Sequence, residues 1–311
     1  MNILDKYKEL YKLPGKKCNT LYSSTLMKKK LIASTFQLIT FSIIISTTLI
    51  LQSCEDVIQL DLPNSAPQIV IEGSISNFKD SVKVKITMST NYFTPTAITP
   101  VTNAQVSISD DAGNVYQLAG KPDGTYFIPN LAGVPGRTYT LKVNANRNQY
   151  IATSKMPGLV PLDSISIQTD VDKHTNKITP DAIVCYLKDP AGIANFYWVL
   201  VYKNDTLFSP DNRFSIYNDS YFDGDYTSIR VGFRRLNMSP VVLHDRFVVQ
   251  LVNIDQQTYL YFDVLGAVLD QSILSASTPA NPPNNLNNGA LGYFSAWSIS
   301  EKTIVVNQSE L

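Results

Sequence analysis

Apolar and polar residues alternate along much of this chain, and that alternation limits what it can fold into. From Val82 to Met88 every second residue is apolar, while Lys or Thr occupies the positions between. A period of two describes a strand with one buried face and one solvated face. Similar segments follow up to residue 156, separated by Asp, Asn and Gly residues such as those at 110–114, which favour turns. Residues 68–156 are therefore expected to form a β-sandwich.

A second β-rich region is predicted after a short connector. Two prolines make residues 157–163 unsuitable for a central strand, so we expect a linker there. Residues 164–311 contain apolar runs such as Phe196–Tyr202, which are typical of buried strands. Near residues 255–272 the apolar residues instead recur at steps of three and four, and Asp255 can cap a helix. The sequence thus predicts a mainly β protein whose second domain contains one helix.

Residues 1–53 have the parts of a secretory signal. Three lysines at 28–30 precede an uncharged, mostly apolar run over residues 31–51. The run ends in Leu51-Gln52-Ser53-Cys54, which resembles a bacterial lipobox. The resemblance implies cleavage before Cys54 and acylation of that residue, with residues 54–67 as a lipidated tether. Acyl chains anchor a protein stably because each buried methylene contributes about 0.8 kcal/mol.

Two features of this segment leave alternatives open. The apolar run is long enough to cross a bilayer, so an uncleaved transmembrane helix is the alternative to a lipid anchor. The polar stretch before Met27 is long for a signal peptide. Either Met27 is the true start of translation or the segment before the apolar run is extended.

Charge and cysteine usage narrow the class of partner. Residues 1–53 hold eight of the 26 basic and two of the 26 acidic residues, so the remainder carries a formal charge of −6. Nucleic-acid binding is not expected, because it depends on clustered Lys and Arg. Cys18 is lost with the signal and Cys54 is lipidated, which leaves Cys185 without a disulfide partner. Cys185 lies in a predicted strand, so a buried, inert thiol is expected there.

The sequence contains no catalytic constellation. A zinc site needs three or four ligands, yet His174 and His244 are the only histidines and no Cys/His cluster occurs. No Gly-x-Ser-x-Gly elbow and no Gly-rich phosphate loop is present. The protein is therefore expected to be non-enzymatic and to need no cofactor.

One acidic segment has three interpretations. Asp219, Asp223 and Asp225 lie close together around Gly224. Carboxylate oxygens suit calcium, although the spacing is not that of an EF-hand. A plain surface turn explains the same residues. In a hydrolase, two of these carboxylates would serve as acid and base.

Aromatic residues surround this acidic segment. Tyr217, Tyr221, Phe222 and Tyr226 are candidate ligand contacts, because exposed Tyr and Phe are typical anchors for protein or sugar partners. The alternative is that they belong to the core of the second domain, since aromatic side chains are mostly buried.

Several short motifs occur in an order that resembles a known family. They are Cys54-Glu55-Asp56-Val57-Ile58, Leu60-Asp61-Leu62-Pro63, Ile69-Val70-Ile71-Glu72-Gly73, Gly136-Arg137-Thr138-Tyr139, Phe222-Asp223-Gly224 and Asn288-Gly289-Ala290-Leu291-Gly292. Together they resemble the Bacteroidota lipoproteins grouped as domain of unknown function 4249, over nearly all of the mature chain. That family has no accepted activity and supplies no catalytic residues to carry over. The amino-terminal part also resembles immunoglobulin-like or transthyretin-like sandwiches.

The resemblance implies a lipoprotein of the cell envelope. We expect it on the outer membrane, on the periplasmic or the cell-surface side. Glu55 and Asp56 resemble the surface-export signal of such lipoproteins, and an ordinary solvated linker is the alternative. Members are often encoded beside a TonB-dependent transporter, so the expected role is a non-enzymatic accessory that helps a transporter capture a nutrient. A glycan-binding or adhesion module and a hydrolase with an acidic site are the rival expectations.

Overall fold

The computed structural model divides the chain into two compact units, residues 1–63 and 64–311. The described residues are 39–42, 66–79, 82–90, 97–171, 178–208, 214–233, 239–269 and 281–308. In the first unit, residues 39–42 are helical, while Cys54, Glu55 and Asp56 lie outside the described residues. Within the described ranges, no helix combines the length and the apolar character needed to cross a bilayer.

Eight strands occupy the region predicted as a β-sandwich, and they confirm its β character. They are β1 (Ile69–Ser76), β2 (Lys83–Met88), β3 (Thr99–Pro100), β4 (Gln105–Asp110), β5 (Val115–Gly120), β6 (Thr125–Phe127), β7 (Thr138–Ala145) and β8 (Asn148–Lys155). The alternation that predicted β2 appears directly in its burial, because Val84 and Ile86 are fully buried while Lys83 is exposed.

Eight further strands and a helix follow. They are β9 (Ser164–Val171), β10 (Ile178–Lys188), β11 (Phe196–Lys203), β12 (Thr206–Phe208), β13 (Ile216–Asn218), β14 (Tyr226–Gly232), β15 (Arg246–Ile254), α1 (Gln256–Leu269) and β16 (Leu291–Val305). The last of them, β16, is a single strand of 15 residues.

One long hydrogen-bonded sheet runs through most of the second unit. Its strand order is β12-β11-β15-β16-β1-β2-β6-β5-β4-β7-β8, with β13 paired to β11 and β3 paired to β2. The strands β14-β10-β9 form a separate sheet. β1 and β16 run parallel, with Val70 opposite Leu291 and Ser76 opposite Trp297. On its other side β16 pairs antiparallel with β15.

The part of the long sheet from β16 and β1 to β8 folds back on itself around an apolar core. Ser154 on β8 accepts a hydrogen bond from the N–H of Ala296 on β16, at 2.9 Å. The Asn285 side chain donates to the carbonyls of Thr153 and Phe294, at 3.1 and 2.7 Å. These bonds bring β8 and β16 together. Fully buried side chains inside this closed layer include Ile71, Val84, Ile86, Ile108, Leu141 and Val143.

The second core lies between β11-β15-β16 and the three-stranded sheet. Its fully buried members include Ile183, Cys185, Leu187, Tyr197, Val201, Phe247, Val249 and Leu251. The two cores divide near residues 157–163, although four residues between 286 and 296 belong to the first core. Because β16 pairs with strands from both sides of that connector, both halves share one sheet. The division into separate domains stays a prediction.

Helix α1 covers the opposite face of β11-β15-β16. As expected, Asp255 caps it: its carboxylate accepts the N–H of Thr258 at 2.8 Å. Phe262 is buried against Trp198, with ring centroids 4.7 Å apart. The helix is less buried than its apolar sequence predicts, since only Thr258 and Phe262 are buried and Leu269 is 46% exposed.

A glycine permits the close approach of β16 to β1. Gly292 has φ +100°, and a Cβ there would lie 2.1 Å from the carbonyl oxygen of Ile71. Both the backbone conformation and the space therefore require glycine. Gly289 also has a positive φ of +71°, but a Cβ there would meet nothing within 4 Å.

We predict that Gly292→Ala destabilises the protein more than Gly289→Ala. Gly289→Ala adds only left-handed strain, about 1–2 kcal/mol, whereas Gly292→Ala also forces β1 and β16 apart and should at least double that loss. Urea denaturation of the purified protein measures both values. Equal losses in the two variants would contradict the close approach described for β1 and β16.

A buried ion pair fixes the segment before β15. Lys203 and Asp245 are each about 6% exposed, and Nζ lies 2.9 Å from the carboxylate. Lys203 also donates to the carbonyl of Pro240 at 2.8 Å, and Asp245 accepts the N–H of Val242 at 2.8 Å. Burial opposes ionisation of Asp245, but hydrogen bonds from Val242, Lys203 and Asn204 outweigh it and lower its pKa.

We predict that Asp245→Ala lowers the free energy of unfolding by about 3–5 kcal/mol, because it leaves the Lys203 charge buried and unpaired. The matched control is Asp205→Ala, which removes an exposed ion pair with Arg246 and should cost less than about 1 kcal/mol. Because the folded pKa of Asp245 is lowered, its contribution is complete above about pH 4 and is lost as the pH falls further. Comparable losses in both variants would contradict the assignment.

Candidate functional site

Two loops at the end of the second core form the most elaborate polar site of the described residues. Loop A (residues 189–195) joins β10 to β11, and loop B (residues 219–225) joins β13 to β14. The Asp189 N–H donates to the Asp225 carbonyl at 3.0 Å, and the Asp219 N–H donates to the Asn195 carbonyl at 3.2 Å. The two loops therefore lie side by side, and a backbone hydrogen bond joins them at each end.

Three carboxylates meet between these loops. Oxygen atoms of Asp189, Asp219 and Asp223 all lie within 4.8 Å of one another. Asp189 is 1% exposed and Asp219 is 7% exposed, while Asp223 is exposed. Two of the three were predicted as an acidic group. Asp225 is not a member, because it contributes its backbone carbonyl instead.

Asp189 is the member that sequence reasoning missed. It lies about 30 residues before the others, in a separate loop, and the pairing of β10 with β14 and of β11 with β13 brings the two loops together. The available signal was the Asp-Pro-Ala-Gly stretch that follows an apolar strand and predicts a turn.

Each carboxylate accepts a backbone hydrogen bond from the opposite loop. Asp219 accepts the N–H of Asn195 at 2.7 Å, and Asp223 accepts the N–H of Gly192 at 2.7 Å. In return Asp189 of loop A accepts the N–H of Gly224 at 3.0 Å. These three reciprocal bonds hold the two loops together. We call the group formed by Asp189, Asp219 and Asp223 the acid brace.

The brace is connected to the core through Tyr197. Its hydroxyl donates to the second carboxylate oxygen of Asp189 in a short hydrogen bond. Burial of the ring, together with the negative charge of Asp189, raises the pKa of Tyr197 far above its usual value, so the hydroxyl stays a donor. The Tyr197 ring stacks on Phe222 of loop B, with centroids 6.2 Å apart.

The four candidate aromatic residues separate into two pairs. Tyr217 and Phe222 are partly buried and pack against the second core. Tyr221 is 96% exposed at the tip of loop B, and Tyr226 is 60% exposed on β14. The structure thus places two of the predicted ligand contacts in the interior and two on the surface.

The acidic site can hold a hard cation, but its hydrogen bonds already give it a structural role. Three oxygen ligands from Asp189, Asp219 and Asp223 are of the kind calcium prefers, and calcium takes six to eight oxygens. A hydrolase needs carboxyl groups that face a substrate across a cleft. Here all three carboxylates instead accept loop N–H groups.

The remaining reactive side chains have ordinary surroundings. Cys185 is fully buried, and that burial raises the pKa of its thiol to about 12, so it stays protonated and unreactive. His244 is exposed in a turn with φ +69°, and its N–H donates to the Val306 carbonyl at 3.0 Å. His174 lies outside the described residues.

A family model identifies the family of the chain. The model of "Domain of unknown function (DUF4249)" matches residues 55–303. The chain belongs to this family. The match includes the first core, both loops and the second core up to residue 303, so Asp189, Asp219 and Asp223 lie within the DUF4249 domain. A comparison with curated proteins finds no significant match.

Two solved structures are distantly similar to this DUF4249 protein. A biofilm-associated protein, described as its BSP domain, is 14% identical with a TM-score of 0.21; the alignment covers 78% of this chain and 29% of that one. A segment of two fibronectin type III domains from chicken tenascin is 13% identical with a TM-score of 0.19, covering 61% and 91%. The chain thus spans less than a third of the biofilm-associated protein that it matches.

We predict that Asp189→Asn lowers the free energy of unfolding by about 2–3 kcal/mol. The amide offers one acceptor oxygen in place of two charged ones. Either the Gly224 N–H faces the amide nitrogen, or the Tyr197 hydroxyl turns to accept from that nitrogen and its own buried proton loses its acceptor. Asp223→Asn is the control, because its side chain is exposed and retains an acceptor oxygen; its effect should stay within about 1 kcal/mol.

Thermal denaturation distinguishes a hydrogen-bonded acid brace from a metal centre. We expect equal melting temperatures for the unmodified protein in calcium and in chelator. A rise with calcium that Asp219→Asn abolishes would contradict this expectation and would identify a cation site.

Proposed function

We propose that this DUF4249 protein is an outer-membrane lipoprotein of the Bacteroidota type that acts as a non-enzymatic binding component beside a TonB-dependent transporter. The lipobox-like Leu51-Gln52-Ser53-Cys54 and the preceding apolar run support the anchor. The following Glu55 and Asp56 support exposure at the cell surface. The acid brace supports a binding role, because it positions loops and does not present a reactive group.

The exposed position of Tyr221 is the observation that carries the binding role. Its ring is 96% exposed, yet loop B is braced by buried carboxylates and by Phe222 packed into the core. Ile193 of loop A is 61% exposed. Rigid loops that present a tyrosine and an isoleucine lose little conformational entropy on binding, which is typical of interface anchors. We expect this tip of loops A and B to contact the transporter.

We predict that the lipid anchor depends on Cys54. Mass spectrometry of protein purified from its native membranes should find an acylated amino terminus at Cys54, and Cys54→Ser should release the protein from the membrane fraction. An intact, unmodified extension before residue 54 would contradict the lipoprotein assignment, whatever the protein binds.

We predict that Tyr221→Ala reduces capture of a TonB-dependent transporter in a pull-down from detergent-solubilised native membranes by at least about fivefold. Val115→Ala is the control, since Val115 is 63% exposed on β5, away from both loops. Recovery of the transporter at the same level with both variants would contradict the assigned contact surface. Recovery of no transporter would contradict the accessory role itself.

A second candidate function is glycan binding, and the outer face of the three-stranded sheet favours it. This face is polar and carries Tyr226, one of the candidate ligand contacts.

A further inference from the structure

The three-stranded sheet β14-β10-β9 has one face in the second core and one face in solvent. Ile183, Cys185 and Leu187 on β10 point into the core. The residues between them point outward, because side chains alternate along a strand. The outward positions on the three strands are Ser164, Ser166, Gln168, Val184, Tyr186, Lys188, Tyr226, Ser228 and Arg230. Hydroxyl, amide and aromatic groups thus dominate this face, which contains a shallow depression of about 530 Å³.

Tyr186 lies across this face instead of standing away from it. Its hydroxyl is 3.5 Å from the hydroxyl of Ser166 on the neighbouring strand β9. Ser166 pairs with Val184 and not with Tyr186, so the ring must extend diagonally over the sheet to reach it. Tyr186 is half-buried, and Val184 beside it is only 7% exposed. The ring therefore lies over the strands, with one side available to solvent.

Arg230 is fixed across the same face. From β14 its Nε donates to Gln168 on β9 at 3.0 Å, and its Nη2 pairs with Asp181 on β10. Its side chain is still 48% exposed. A guanidinium held at two points in this way is planar and immobile, and it keeps further N–H donors for a ligand.

Tyr226 extends the arrangement along β14. It is 60% exposed and pairs with Lys188, two residues along from the Tyr186–Ser228 pair. Side chains on one face of a strand recur at about 6.8 Å, so Tyr226, Ser228 and Arg230 span about 14 Å. The three strands add about 10 Å in width. This surface is large enough for an elongated ligand, and its tyrosine rings and the Arg230 guanidinium are already positioned on it.

From this geometry we infer that the outer face of β14-β10-β9 is a saccharide-binding platform, with Tyr186, Tyr226 and Arg230 as its contact residues. Saccharides present apolar ring faces that stack on aromatic rings and hydroxyls that bond to planar polar groups. The platform offers both, together with Ser166, Ser228 and Gln168. This inference rests on the second candidate function, glycan binding, and deepens it by naming the contact residues and the ligand class; it requires neither the lipid anchor nor the transporter.

The chemistry of the face disfavours other occupants. A lipid surface or a tightly docked protein would need a contiguous apolar area, yet the apolar Val184 is nearly covered. Nucleic acid would need unpaired basic residues, but Arg230 is paired with Asp181. Of the four aromatic residues predicted as ligand contacts, Tyr226 lies on this face, whereas Tyr221 and Phe222 lie in loop B and Phe222 packs against the second core.

The test is isothermal titration of the full-length protein in detergent with hexasaccharides of glucose, xylose, mannose and galacturonic acid. We expect saturable binding of at least one of them. Tyr186→Ala and Arg230→Ala should each weaken that binding by about fivefold or more. Arg246→Ala is the matched control, because Arg246 is also exposed and paired with an aspartate, but lies on β15. Its affinity should equal that of the unmodified protein, and all variants should keep the same melting temperature.

The variants also separate this inference from the transporter contact. Preference for galacturonate over the neutral sugars would identify an acidic polysaccharide, and the reverse a neutral one; either supports the platform. Absence of binding to every saccharide overturns it, as does binding that Tyr221→Ala removes and Tyr186→Ala does not. Loss of transporter capture in Tyr186→Ala, without any saccharide binding, would overturn it in favour of a protein contact. If neither the unmodified protein nor any variant captures a transporter, the transporter contact is contradicted and the saccharide-binding result still stands.

Discussion

The pairing of β16 with β1 is the interaction on which the rest of the structure depends. β16, the last strand of the described residues, lies parallel to β1, the first, and β16 also pairs antiparallel with β15. One strand therefore supplies Phe294 and Ala296 to the first core and Ile304 to the surroundings of the second. Contacts between residues so distant in sequence close a long loop, which costs chain entropy and slows folding. Gly292 permits this close approach, because a Cβ there would lie 2.1 Å from the carbonyl oxygen of Ile71.

The acid brace shows how a cluster of like charges can contribute to structure. Asp189, Asp219 and Asp223 repel one another at this separation, so they persist only because each accepts a hydrogen bond from the opposite loop. A charged acceptor forms a stronger bond than a neutral one, and a buried site strengthens it further. The same logic applies to Asp110, which accepts bonds from Asn114 and Arg137 and fixes the turn between β4 and β5. The turn predicted at residues 110–114 is thus held by a buried aspartate.

Sequence patterns predicted what depends on neighbours in the chain. The alternation in β2 and the cap at Asp255 are local, and both were found as expected. The pairing of β16 with β1 could not be predicted, because pairing across more than 200 residues leaves no periodic signal in either strand. Asp189 was missed for the same reason. Tyr221 and Phe222 are adjacent in sequence, yet one is exposed and the other is packed in the core, so composition alone could not separate them.

The brace and the sheet face are physically continuous. β10 ends at Lys188 and β14 begins at Tyr226, directly before Asp189 and after Asp225. The bond from the Asp189 N–H to the Asp225 carbonyl extends the β10–β14 ladder into the loops. Lys188 contributes to the same junction, because its ammonium donates to the Gly224 carbonyl. The hydrogen bonds that hold Tyr221 at the tip therefore also fix the strand end that carries Tyr226. A single polar network can thus support two separate contact surfaces, each of which needs a rigid backbone to bind without a large entropic loss.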